Sequence, residues 1–170
     1  MPERKIIEKG SLEHRLIECC RNGSLAKVRA LLDAGAVANS QMSGVLGWCD
    51  GYSVVHAAAE NPDIRIMELL VERGADVNVK ESFYDSTPLY YAAIRNTLEM
   101  VKYLVSLGND PLWDNIEGKN LLTVSACNPH KDVLEYFFRQ GVPSTPHRFA
   151  CRWGRFRGPK DSTIQSDCSK

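Results

Sequence analysis

Four glycines, Gly35, Gly74, Gly108 and Gly141, each close the same arrangement of residues, at spacings of 39, 34 and 33. Seven positions before them stand Val28, Met67, Val101 and Leu134; four before, Leu31, Leu70, Leu104 and Phe137; three before, Leu32, Val71, Val105 and Phe138. A chain that returns to one apolar pattern at this period is built from stacked units. Each unit buries its apolar side on its neighbours, so four units share one continuous core. Arrays of this kind work by binding far more often than by catalysis.

The third unit is the clearest. Thr87 precedes Pro88, a helix N-cap followed by proline at the first helical position, where a missing N–H costs nothing. Ala92 and Ala93 are small enough to let a second helix approach. Leu98, Val101, Leu104 and Val105 then fall on one helix face, and Gly108 supplies the left-handed residue that ends it. Each unit is therefore expected to be a short helix, a tight turn, a longer helix and an extended connection.

Thr87-Pro88-Leu89-Tyr90-Tyr91-Ala92 resembles the ankyrin-repeat marker T-P-L-H-x-A, with tyrosine for histidine. Ser53-Val54-Val55-His56-Ala57-Ala58 keeps the histidine and loses the proline. Asn120-Leu121-Leu122-Thr123-Val124-Ser125-Ala126 is a degenerate copy, and Gly74-Ala75-Asp76-Val77-Asn78 matches the family's G-A-D-x-N close. The resemblance covers roughly residues 11–143. It implies an all-α solenoid of four helix-turn-helix units with short projecting hairpins, over about 11–43, 51–84, 85–117 and 118–143. Residues 1–10 are left as an N-terminal extension and 144–170 as a tail. It also implies that His56 makes structural hydrogen bonds at its turn, and that Cys19 replaces an inter-helix alanine and is buried. Asn61-Pro62 and Asn128-Pro129 read as helix starts. The first helix, about 11–21, carries Glu13, His14, Arg15, Glu18 and Arg21, as an exposed cap should. Lys131 stands where Leu25, Ile64 and Leu98 stand in the other units, marking the fourth unit as terminal.

Formal net charge is zero. No apolar stretch near the start is long enough for a secretory signal, and none reaches the roughly 18 residues of a membrane helix. The six cysteines include no CxxC pair, so reduced thiols in the cytoplasm or nucleus are expected. Asn22-Gly23-Ser24 matches a glycosylation sequon and reads as a turn. No glycine-rich phosphate loop and no convergent acid pair occur. His147 and Cys151 offer two metal-type ligands without a second pair. No catalytic residue, cofactor or metal site is assigned, and the chain is not expected to be an enzyme.

In ankyrin-like arrays the hairpin tips and first helices line a concave binding face. By register, that face carries Trp48 and Tyr52 in the long first connection, Phe83 and Tyr84 in the second, Trp113 and Ile116 in the third, and Tyr91, Ile94 and Arg95 on a helix. Large aromatic side chains are what interface hot spots are made of. Trp48 and Trp113 could instead fold back and plug gaps between repeats. The tail carries six basic residues against two acidic ones, a net of +4, with Phe149, Trp153 and Phe156 interleaved. It would either cap the last repeat with its aromatics or bind nucleic acid or an acidic surface. The expected function is a stand-alone protein-binding module, monomeric when unbound and not membrane-bound. It would act by occlusion or scaffolding as an adaptor, an inhibitor, a pathogen effector in host cytosol or an immunity protein.

Overall fold

The computed structural model describes residues 10–42, 51–82, 84–95, 97–113, 120–126 and 131–143. Among them lie eight helices: α1 (Leu12–Arg21), α2 (Leu25–Asp33), α3 (Val54–Ala59), α4 (Ile64–Glu72), α5 (Pro88–Arg95), α6 (Leu98–Ser106), α7 (Leu121–Ala126) and α8 (Asp132–Arg139). Extended pairing among these residues amounts to one isolated antiparallel bridge, Gln41 with Ser53, at the base of the first connection. The odd-numbered helices form a row in which α3 packs on α1 and α5, and α7 packs on α5. Each has its own second helix behind it, with α2 also against α4 and α6 against α8. This is the all-α repeat architecture expected from the period. The basic tail lies outside the described residues.

All four glycines end their helices in the same way. Gly35 N–H donates to Leu32 and Ala36 N–H to Leu31; Gly74 to Val71 and Ala75 to Leu70; Gly108 to Val105 and Asn109 to Leu104; Gly141 to Phe138 and Val142 to Phe137. The distances run from 2.9 to 3.1 Å. This paired closure is the Schellman motif, and it requires a left-handed residue after the cap; the four φ angles are 96°, 78°, 94° and 79°. A side chain at any of the four would meet nothing within 4 Å, so the requirement is one of backbone conformation and not of space. The residues three and four before each glycine thus supply the acceptor carbonyls. Leu31, Leu70, Leu104 and Phe137 also bury their side chains in the shared core, together with Val28, Met67, Val101 and Leu134. Ala57, Ala58, Ala59, Ala92 and Ala93 are fully buried where the first helices meet.

His56 joins the second unit to the third. Ser53 caps α3 by accepting from His56 N–H, and Ser53 N–H donates back to His56 Nδ1 (3.1 Å), closing a capping box. Because Nδ1 accepts from a backbone N–H, the ring proton sits on Nε2, which donates to the Ser86 carbonyl at 3.1 Å. That carbonyl also accepts from Glu81 N–H, while the buried Glu81 carboxylate accepts from Tyr84 and Ser86 N–H. The second connection is thereby tied back to α3. Burial holds the His56 ring far below its usual range, at about 4, and the bond to Ser86 only partly opposes this.

Three local expectations change. The buried cysteine is Cys20, not Cys19, which is half-buried. Cys20 shares its buried helix face with Glu13, Leu16 and Ile17, on the helix that packs against α2 and α3. Glu13 lies on that same inner face and is buried where an exposed cap was expected. Asn61 is not a helix cap: Asp63 caps α4 by accepting from Arg65 N–H. Asn61 instead spans two units, donating to the Arg21 carbonyl and accepting from Asp63 N–H (2.9 Å each). Lys131, finally, is the exposed residue before α8, which starts one position later than the second helices of the other units.

Four outcomes follow for stability. Leu104→Ala should cost roughly 2–5 kcal/mol, and Gly108→Ala about 1–2 kcal/mol through the left-handed backbone alone, both read from denaturant unfolding. Asn109 occupies the position held by Ala36 and Ala75, and its buried amide has no hydrogen-bond partner among the described residues. Asn109→Ala should therefore raise stability by about 1 kcal/mol, and a loss of stability would contradict this account. For His56, the unfolded ring takes a proton near 6.5 and the folded ring near 4. Stability is then whole above pH 6.5 and falls, by up to about 3 kcal/mol, as the pH drops to 4. His56→Gln should flatten the melting profile in that window.

Candidate partner-binding surface

The first-helix side of the array is organised around Glu60, the residue that ends α3. Its carboxylate is almost covered, 11% exposed, and serves three neighbours. Oε1 accepts from the Tyr52 hydroxyl (2.5 Å), and Oε2 accepts from Arg95 Nη2 of the next unit (2.7 Å). Arg21 of the preceding unit donates Nη2 to the Tyr52 hydroxyl at 3.0 Å and lies 3.8 Å from Oε1. Its guanidinium sits 5.3 Å above the Tyr52 ring. One carboxylate and one phenol thus connect three successive units. Burial raises the Tyr52 hydroxyl above the usual range, so it stays a neutral donor to Glu60.

Aromatic rings continue the line. Tyr52 stacks on His56, with centroids 5.4 Å apart, and Tyr91 meets both rings edge-on at 5.5 and 5.3 Å. Tyr90 stands edge-on to Tyr91 at 6.0 Å and to Trp113 at 5.7 Å. Edge-to-face contacts in this range are favourable and hold rings in fixed orientations. At the hairpins, Gly51 approaches the second connection closely: a side chain there would come within 2.8 Å of the Ser82 backbone nitrogen.

Of the residues expected on this face, Tyr91 and Arg95 join Tyr52 in one contact network, and Ile94 beside them is 39% exposed. Tyr52 requires correction as a contact residue. Only 5% of its surface reaches solvent, because its ring fills the space between His56, Tyr91 and Arg21 and its hydroxyl is held by Glu60. It supports the face from beneath. Trp113 is half-buried against the core and against Tyr90, the gap-filling arrangement. Tyr84 is half-buried, its N–H bound to Glu81. Trp48, Phe83 and Ile116 lie outside the described residues. Sequence reasoning passed over Glu60 and treated Arg21 only as a surface charge. The signal was present: Arg21, Glu60 and Ile94 all stand fourteen positions before their glycines, so they neighbour one another across units.

Among the described residues no group of three or more His, Cys, Asp or Glu side chains could hold a metal ion. Burial pushes the Cys20 thiol up to about 12, away from a reactive thiolate. No helix of the described residues is long and apolar enough to cross a membrane.

Comparison with known proteins agrees with the geometry. The family model for ankyrin repeats in three copies matches residues 16–115 and 55–145. The chain is 28% identical over 123 residues to BRCA1-associated RING domain protein 1 of Caenorhabditis elegans, covering 72% of this chain and 16% of that protein. It is 29% identical over 130 residues to ankyrin repeat and KH domain-containing protein mask-1 of the same organism, covering 76% of this chain and 5% of the relative. To palmitoyltransferase AKR1 of Kluyveromyces lactis it is 25% identical over 159 residues, 89% of this chain and 21% of that one. The chain spans only these small fractions of such relatives, some of which are enzymes that carry ankyrin regions. Ankyrin repeats themselves are generally non-catalytic modules that bind other proteins. With the period, the four identical helix closures and the family match in agreement, the chain belongs to the ankyrin-repeat family.

Proposed function

We propose that this protein binds a partner protein through its first-helix face and acts by covering the partner's working surface, as an inhibitor or effector would, in the cytoplasm or nucleus. The observation that carries this reading is a network of contacts that branches at Tyr52: its hydroxyl joins Arg21 and Glu60, and through Glu60 Arg95, while its ring leads to Tyr91, Tyr90 and Trp113. Ion pairs and ring contacts hold these side chains in place before any partner arrives. A surface whose side chains are already ordered loses less conformational entropy on association. Tyr, Trp and Arg are also the residues most enriched at binding hot spots. Ile94, exposed on the same helix as Tyr91 and Arg95, adds apolar area.

The test is affinity capture with the folded chain, followed by measurement of the captured protein's affinity for variants. Ile94→Glu and Trp48→Ala should each weaken binding at least about tenfold, or about 1.4 kcal/mol, with the helical spectrum unchanged. Lys102→Glu, on α6 and paired with Glu99 at the surface, should do little. The reverse pattern would move the working face to the second helices.

A further inference from the structure

We propose that the turn joining α1 to α2 is a self-modification site: Asn22 deamidates spontaneously through a succinimide formed with Gly23, and Asn61 of the next unit gates the reaction. Asn22-Gly23 is the one Asn-Gly pair in the chain. Glycine carries no Cβ, so its backbone nitrogen is the least hindered nucleophile that an asparagine amide can meet. Asn22 is exposed, and its side-chain amide makes no hydrogen bond among the described residues. Other asparagines lack this combination. The Asn39 side chain is bound to Gly74 and Asp76, Asn61 precedes a proline that has no N–H, and Asn109 and Asn120 are buried.

In the reaction the Gly23 nitrogen bonds to Asn22 Cγ and the Cγ–Nδ2 bond breaks. Ammonia leaves with the proton from Gly23 N–H. Water then opens the succinimide ring. Opening at the Asn22 carbonyl carbon leaves isoaspartate, with the main chain running through Cγ; opening at Cγ leaves aspartate. The native turn holds the reactants apart. Asn22 has ψ −3°, and this bond must rotate well away from that value before the nitrogen can reach the side chain. The rotation breaks the bonds that close α1, from Gly23 N–H to the Cys20 carbonyl (3.3 Å) and from Ser24 N–H to the Cys19 carbonyl (3.1 Å). Asn61 clasps the same stretch. Its Nδ2 donates to the Arg21 carbonyl at 2.9 Å and lies 2.9 Å from where a Gly23 Cβ would stand. The reactive state is a local opening of the joint between the first and second units, and the population of that opening sets the rate. Isoaspartate then alters the joint itself. It adds a carbon to the main chain at residue 22 and leaves a free carboxylate there. The helix-closing bonds and the Asn61 contact no longer fit together, and the first unit is loosened from the second.

The full chain can be held at mildly alkaline pH, sampled over time and cut after Glu18 and Asp33, which leaves Asn22 as the one asparagine inside a single peptide. Mass spectrometry should show that peptide giving way to two slightly heavier products of equal mass, isoaspartate and aspartate, with isoaspartate the more abundant. A carboxyl methyltransferase that recognises isoaspartate should label the first product and not the second. Asn22→Gln should remove both. Asn61→Ala should speed conversion by at least about fivefold, the factor that one lost hydrogen bond is worth. The unaltered chain unfolded in urea should convert faster still, and protein carrying isoaspartate should melt below unmodified protein. If the folded chain keeps Asn22 intact while the unfolded chain converts it, the site is overturned. If the folded chain converts at the unfolded rate, or Asn61→Ala leaves the rate unchanged, the gate is overturned. Should Asn61→Ala fail to fold, the unaltered chain decides the matter. Urea added below the unfolding transition should speed conversion while the helical spectrum stays native, and a rate that rises only with global unfolding overturns the proposal.

Discussion

A six-residue helix such as α3 cannot hold itself together in water, because the cost of nucleating a helix is not recovered within so few residues. Its existence depends on burial against its neighbours. Every residue from Val54 to Ala59 is buried, with α1 on one side, α5 on the other and α4 behind. The same dependence runs through the chain. Units stabilise one another in a line, and small residues at the contact between first helices set how closely they can stack. The four glycine closures make this possible by turning the chain at the same point of each unit, so that each repeat leaves its longer helix in the same direction.

Stacking in this way buries polar groups, and some of them are met by bonds between units: His56 reaches the Ser86 carbonyl of the next unit and Asn61 the Arg21 carbonyl of the preceding one, while at the surface Asn39 links to both Gly74 and Asp76. Within the fourth unit, Asn120 closes onto the Pro143 carbonyl. Buried polar groups that find partners fix geometry as well as avoid a penalty. Such bonds specify the offset between neighbouring repeats more sharply than apolar contact can.

The same offset creates the candidate binding face. Arg21, Glu60 and Arg95 are separated by more than thirty residues in the chain, yet the repeat geometry sets them against one another. What would be three unrelated surface charges in an extended chain becomes a covered carboxylate with two outward cations, backed by a line of aromatic rings. Function in an array of this kind comes from side chains that the fold leaves unconstrained and that the neighbouring units then hold in place.

The sequence by itself determined the period, the helix pairs, the helix-ending glycines and the capping role of Thr87. These depend on local spacing: apolar residues three and four apart, a small polar residue before a helix, a residue able to adopt positive φ. It also marked Tyr91, Ile94 and Arg95 as belonging to one face, because register alone places them there. Only the tertiary structure decided that Cys20 and not Cys19 is buried, that Tyr52 supports the face and is not exposed on it, that Asn61 ties two units together instead of capping a helix, and that Glu60 is the centre of the cluster. Each of these depends on how far one repeat is rotated and shifted against the next. That offset is the joint outcome of many weak contacts between residues distant in the chain, and no single unit's pattern encodes it.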